Sequence, residues 1–266
     1  MNLESGSRRL AACVEYDGFA YCGWQRLGHA ASVQEEVERA LSAVAAHPVS
    51  VVCAGRTDSG VHATGQIIHF DTVAERPLRG WLMGTNTHLP DGIVLRWVQP
   101  VSSEFHARFS AQARRYRYVI LNRPARPALL QHRVAWLYQP LQAERMHEAA
   151  QYLLGENDFS SFRAAGCQAR HARRELQAIT VSRAGEFVYV DVQANAFLHH
   201  MVRNIVGSLL QVGKGLQPPE WLAELLVQRD RNLAGATASA AGLYFVHVVY
   251  PQVLGLPDDY ELPVFA

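Results

Sequence analysis

Apolar and polar positions change period several times along the chain, and each change predicts an element. Residues 9–16 read as a strand. Ser32-Val33-Gln34-Glu35 fits a capping box, with the serine as N-cap and Glu35 reaching back. Val33, Val37, Leu41 and Val44 then recur at helical spacing up to Pro48. Strands are predicted at 49–53, 66–71 and 93–98, with a helix at 78–83. Beyond these, 115–121 alternates cleanly, with Tyr116, Tyr118 and Ile120 on one face. A strand at 134–138 precedes a helix at 144–154, stopped by Gly155. Residues 176–182 and 187–192 form a hairpin around Ala184-Gly185. Met201, Val202, Ile205, Val206, Leu209 and Leu210 form one helical stripe, Pro219 opens a further helix through Leu226, and 243–250 is a last strand. The pattern is that of an α+β protein in two units, 1–106 and 107–266, without a residue-level repeat.

Composition narrows the class. The 266 residues are 49% hydrophobic and 18% charged, which is globular and argues against a disordered or fibrous chain. No apolar run reaches the ~20 residues of a membrane span, and residues 1–9 lack the apolar core of a signal peptide. Cys13, Cys22, Cys53 and Cys167 form no C-x-x-C pair, so they read as reduced thiols of a cytoplasmic protein rather than a zinc site. A net charge of +1 speaks against a nucleic-acid partner until the charge is placed along the chain. Arg108, Arg114, Arg115, Arg117, Arg123, Arg126 and Arg133 occupy 105–143 without an acid, as do Arg163, Arg170, Arg173 and Arg174 in 159–174. Aromatic residues interleave with them, a pattern suited to RNA, and it predicts one strongly basic face.

The densest candidate chemistry lies in 53–66, between two predicted strands. Gly55, Gly60 and Gly65 there enclose an arginine, a carboxylate and a histidine. Taken as an isolated loop it reads as a polar turn capped by Asp58, and it lacks the Gly-Lys-Ser/Thr of a P-loop. His199-His200 invites a metal, but adjacent helical residues diverge by about 100° and spacing suggests no third ligand. No metal is expected, and His62 reads as a loop-packing residue.

The whole stretch Gly55-Arg56-Thr57-Asp58-Ser59-Gly60-Val61-His62-Ala63 resembles the signature of the tRNA pseudouridine synthase A family. Tyr16-Asp17-Gly18, Gly23-Trp24-Gln25, Arg115-Tyr116-Arg117-Tyr118 and Gly155-Glu156-Asn157-Asp158-Phe159-Ser160-Ser161-Phe162 are similar to further family motifs in the same order. So are Asn195-Ala196-Phe197-Leu198-His199-His200-Met201-Val202-Arg203-Asn204 and Ala240-Ala241-Gly242-Leu243-Tyr244. The resemblance spans roughly residues 9–250.

It implies a pseudouridine synthase fold: α+β, two similar units with largely antiparallel sheets, helices packed on one side and an active-site cleft between the units. It implies an isomerase that turns uridine into pseudouridine at positions 38, 39 and 40 of the tRNA anticodon stem-loop, without a cofactor and as a homodimer. Asp58 then takes the role of nucleophile and Arg203 that of its ion-pair partner. Tyr116 stacks on the target base, Arg56 contacts a phosphate or fills the gap left by the flipped base, and Leu243 forms an apolar wall. Residue by residue, the alternatives are a surface arginine at 203, a core tyrosine at 116, a structural Arg56 and a core Leu243. Two other classes also accommodate the chain: a catalytically silent RNA-binding module and a glycoside hydrolase, which normally needs two carboxylates.

Overall fold

The computed structural model describes residues 6–258 and 260–265. In chain order the elements are β1 (Arg8–Tyr16), α1 (Val33–Ala45), β2 (Val52–Cys53), β3 (His62–Thr72), α2 (Leu78–His88), β4 (Ile93–Val101), β5 (Ala113–Asn122) and β6 (Ala135–Leu137). There follow α3 (Ala143–Gln151), β7 (Gly155–Asp158), β8 (Arg173–Ala184), β9 (Phe187–Ala194), α4 (Met201–Gly213), α5 (Trp221–Gln228) and β10 (Leu243–Val249). The mixed α+β class stands.

Several boundaries move for local reasons. Half of the capping box forms: Ser32 Oγ accepts the Glu35 N–H at 3.4 Å, while the Glu35 carboxylate lies 3.5 Å from Arg26. Helix α1 stops at Ala46, which is left-handed at φ 59°. The strand expected at 49–53 shrinks to two residues, because the Val49 and Val51 amides donate to side chains of α1 rather than to a ladder. Gly155 opens β7 at φ +86° instead of ending α3, which has already stopped at Gln151. Pro219 does not start α5: Trp221 N–H bonds Pro218 O at 3.2 Å in a tight turn that precedes the helix.

The chain divides into two compact units, one of residues 6–112 with 245–262, the other of 113–244 with 263–265. The expected division at 106/107 is therefore corrected at both ends. Residues 107–112 stay with the first unit because the Ala107 amide donates to His69 Nδ1 at 3.0 Å and the Gln112 amide to Val249 O at 2.8 Å. Residues 245–249 return to it beside β3.

In the first unit the strands run β4-β1-β3-β10, with β2 also paired to β3. Strand β1 is antiparallel to both neighbours, and Leu10 sits between Phe70 and Pro100. Leu10, Leu41, Ile68, Phe70, Trp81 and Leu95 are fully buried; α1 packs on α2, and α2 on β4. An added Cβ at Gly65 would lie 2.2 Å from Val246 O, so β3 and β10 approach closely where β3 carries no side chain.

In the second unit the order is β5-β9-β8-β7, antiparallel wherever those strands pair, with β6 parallel to β5. Gly185, at φ +57°, turns the β8–β9 hairpin. Helix α3 lies against β8 and α4, and the core holds Tyr118, Val190, Met146, Leu209, Phe159 and Phe162. Among the described residues no helix is long and apolar enough to cross a membrane.

Candidate active site

Asp58 lies in the connection from β2 to β3, and the surrounding residues fix that connection at three levels. At its base, Gln66 is fully buried and grips Gly55 on both sides. Its Nε2 donates to Gly55 O at 2.5 Å, and its Oε1 accepts Gly55 N–H at 3.3 Å. At mid-height the Thr57 hydroxyl meets Tyr16 Oη at 2.8 Å, and Thr57 O accepts the Trp24 N–H at 3.0 Å. Burial pushes the Tyr16 phenol pKa up, so that group stays neutral. Gly23, at φ +91°, allows this approach, since a Cβ there would sit 2.6 Å from Thr57 O. At the tip, Asp58 O accepts Val61 N–H at 3.1 Å across Gly60, which is left-handed at φ +75°. The Gly60 amide and the Ser59 hydroxyl both donate to Tyr21 O.

The result is a half-buried Asp58 on a backbone anchored immediately before and after it. Arg56 is exposed. Buried His62 accepts the Gly18 N–H on Nδ1 at 3.1 Å, in keeping with a packing role. Burial raises the Cys53 thiol to about 11, against the opposing pull of Arg56 and Arg108.

The second unit holds Tyr116, Arg203 and Leu243. Tyr116 on β5 is 8% exposed and meets the Phe197 ring edge-on, centroids 4.9 Å apart. Its neighbour Tyr118 is wholly buried and donates to Ser239 O at 2.7 Å. Arg203 on α4 is partly buried, and its Nε donates to Ala238 O at 2.8 Å, which fixes the direction of the guanidinium. Leu243 is buried at the start of β10.

Two expectations change. The histidines at 199 and 200 do not diverge as helix neighbours would. His200 is the left-handed residue ahead of α4, and the two rings lie 4.0 Å apart. The eleven arginines are not all surface charge. Arg117 is buried, forms two bonds of 2.7–2.8 Å with Asp191 on β9 and lies 4.8 Å from the Tyr189 centroid. Arg123 pairs with Glu186 and Arg173 with Glu156, so acids from neighbouring strands and turns neutralise runs that are acid-free in sequence. The role of Gln66 has no counterpart among the sequence motifs. The available signal was a glutamine next to Ile67-Ile68 in a buried strand, because a buried amide requires partners.

Comparison with known proteins gives these residues a context. The model of the tRNA pseudouridine synthase family matches residues 12–110 and 149–251. The chain belongs to that family of isomerases, which act on uridine in tRNA. More narrowly, it is 60% identical over 248 residues to tRNA pseudouridine synthase A of Hydrogenovibrio crunogenus, covering 93% of this chain and 95% of that protein. It is 57% identical over 257 residues to the protein of the same name from Aliivibrio fischeri strain MJ11, covering 97% and 98%. The Aeromonas hydrophila protein of that name is 59% identical over 250 residues, covering 94% and 93%.

Proposed function

We propose that this chain isomerises uridine to pseudouridine at positions 38, 39 and 40 in the anticodon stem-loop of tRNAs, with Asp58 as nucleophile and no cofactor. The observation that carries the proposal is near-full-length similarity to A-type synthases, together with a single carboxylate in a loop anchored on both sides. The reaction breaks the N1–C1′ bond, turns the uracil and forms C5–C1′. The proton lost from C5 is balanced by one gained at N1, so no atom enters or leaves overall. A carboxylate serves this chemistry as nucleophile and then as an aid to proton removal.

Arg203 is assigned as the ion-pair partner of Asp58, Tyr116 as the stacking partner of the target base, and Leu243 as an apolar wall. Arg56 contacts a phosphate or fills the space the base vacates. Burial of Tyr116 and Leu243 suits groups that bound a partly dry pocket. The protein acts in the cytoplasm as a homodimer. A hydrolase reading needs a second carboxylate, and Asp71 on β3 is engaged in two 2.7 Å bonds with Arg9.

Incubation with unmodified tRNA, followed by carbodiimide mapping of pseudouridine, tests the proposal. Wild type is expected to modify positions 38–40, and Asp58→Asn to bind tRNA without modifying it. Full conversion by Asp58→Asn would remove the nucleophile assignment, and release of free uracil would favour hydrolysis.

A further inference from the structure

The turn 105–110, which follows β4, takes no part in the chemistry proposed above, yet it is built with unusual care. Phe105 and Ala107 are buried and anchor it. Two imidazoles staple its backbone. His69 Nδ1 on β3 accepts the Ala107 N–H at 3.0 Å, and His106 Nδ1 accepts the Arg108 and Phe109 amides at 3.2 and 3.1 Å. The rings of His69 and His106 lie 4.9 Å apart. Ser110 closes the turn by accepting the His106 N–H on Oγ at 3.0 Å and donating its own N–H to His106 O at 2.9 Å.

This framework displays one aromatic ring. Phe109 is 75% exposed, yet its ring stacks on His106 with centroids 4.3 Å apart and planes 26° apart. The Arg108 guanidinium carbon lies 5.5 Å from the same centroid. The turn also borders the start of the Asp58 loop. His69 is the ladder partner of Val52 on β2, and Arg108 and Arg56 both act on the Cys53 thiol that ends β2.

A solvent-facing ring contributes little to the fold, and fixing its plane by stacking prepares a flat partner surface. Arginine beside an exposed aromatic matches a nucleotide, whose base stacks and whose phosphate is anionic. Charge at the turn itself favours this occupant, since the Arg108 guanidinium flanks the ring.

We propose that Phe109, backed by His106 and flanked by Arg108, is a stacking platform for an unpaired base of the RNA substrate beside the Asp58 loop. The proposal rests on the tRNA reading above and adds a binding group to it. Phe109 is a positioning residue that holds the RNA and does not touch the reacting atoms.

The test compares kcat and KM for pseudouridine formation, and Kd for unmodified tRNA, among wild type, Phe109→Ala, Phe109→Leu and Phe109→Tyr. Sedimentation is measured on each protein, and Asp58→Asn serves as the control. Loss of a stacked base is worth about a tenfold or larger change. Phe109→Ala and Phe109→Leu are expected to raise KM and Kd by about that factor, with kcat within about twofold of wild type. Phe109→Tyr keeps a planar ring and is expected to match wild type. Unchanged KM in Phe109→Ala overturns the platform. So does full function in Phe109→Leu, because grease would then suffice. A change in sedimentation that accounts for the lost affinity overturns it too, since the ring would then join copies of the chain. If Phe109→Ala fails to fold, the Leu and Tyr variants still decide. A wild type that forms no pseudouridine refutes the tRNA reading instead, while the Kd comparison continues to report on Phe109.

Discussion

Replacing Gln66 by leucine removes the two-sided grip on Gly55 and leaves a side chain of similar volume, so the change isolates the hydrogen bonds from the packing. Two bonds disappear, at 2.5 and 3.3 Å, and both backbone groups of Gly55 lose that partner. Each bond contributes roughly 0.5–1.5 kcal/mol net, and each buried group left unpaired costs roughly 1–3 kcal/mol. Gly55 is itself only half-buried, which lets water recover part of that cost. The balance is a loss of about 2–4 kcal/mol, or roughly 5–15 °C in melting temperature for a protein of this size. Asp58 follows Gly55 by three residues, so the same loosening misplaces its carboxylate. A displacement near 1 Å costs on the order of 100-fold in rate. Circular dichroism melts and single-turnover pseudouridine assays on Gln66→Leu are therefore expected to show both deficits, with tRNA affinity nearly unchanged. A variant that melts with wild type and turns over at the same rate would refute the claim that this amide holds the loop.

Two further outcomes follow from buried charge. Asp191→Ala strands the Arg117 guanidinium between β5 and β9 and is expected to cost about 3–5 kcal/mol in urea unfolding, whereas Arg117→Met/Asp191→Leu is expected to recover most of it. A double variant no better than the single one would show that the pair itself supplies stability. His69 is held near a pKa of about 4, first by burial and then by repulsion from Arg9 and His106. An unfolded histidine titrates near ~6.5 and so binds a proton the native state excludes. Stability is then full above ~6.5 and declines as pH falls towards 4, by up to ~3 kcal/mol. His69→Asn keeps an acceptor for the Ala107 amide and is expected to lose less stability between pH 7 and pH 4.5; equal losses in both proteins would exclude His69 as the cause.

The elements with the strongest periodicity were legible in the sequence. Val33, Val37 and Leu41 placed α1, the stripe from Met201 placed α4, and alternation placed β5, each within two residues of its observed start. Elements that depend on distant partners were less legible. Residues 49–51 look like a strand, but the Glu38 and Ser42 side chains take two of their amides. β7 carries the polar sequence Gly-Glu-Asn-Asp and is a strand because β8 pairs with it. In the candidate site, Asp58 and its loop stood out by composition and by resemblance. Gln66, Gly23 and Tyr16 did not, because their value lies in contacts with Gly55 and Thr57 that no local pattern encodes. Local charge counting misled for the same reason, since Asp191 neutralises Arg117 from 74 residues away.

The return of residues 245–249 to the side of β3 has a consequence for biosynthesis. The first unit begins at the start of the chain but is completed by its last strand, and all of Ala113–Tyr244 must leave the ribosome in between. Until then β3 has an open edge at Gly65, and β3 is the strand that supplies Gln66 to the Asp58 loop. Such long-range closure is slow compared with the local hairpin of β8 and β9, and an unpaired edge in a nascent chain invites aggregation. A chain that stops short of residue 245 therefore contains every residue of the loop and still lacks the strand beside it. Residues 113–244, the bulk of the second unit, are translated before the first can close, an inversion of the usual order in which N-terminal parts fold first.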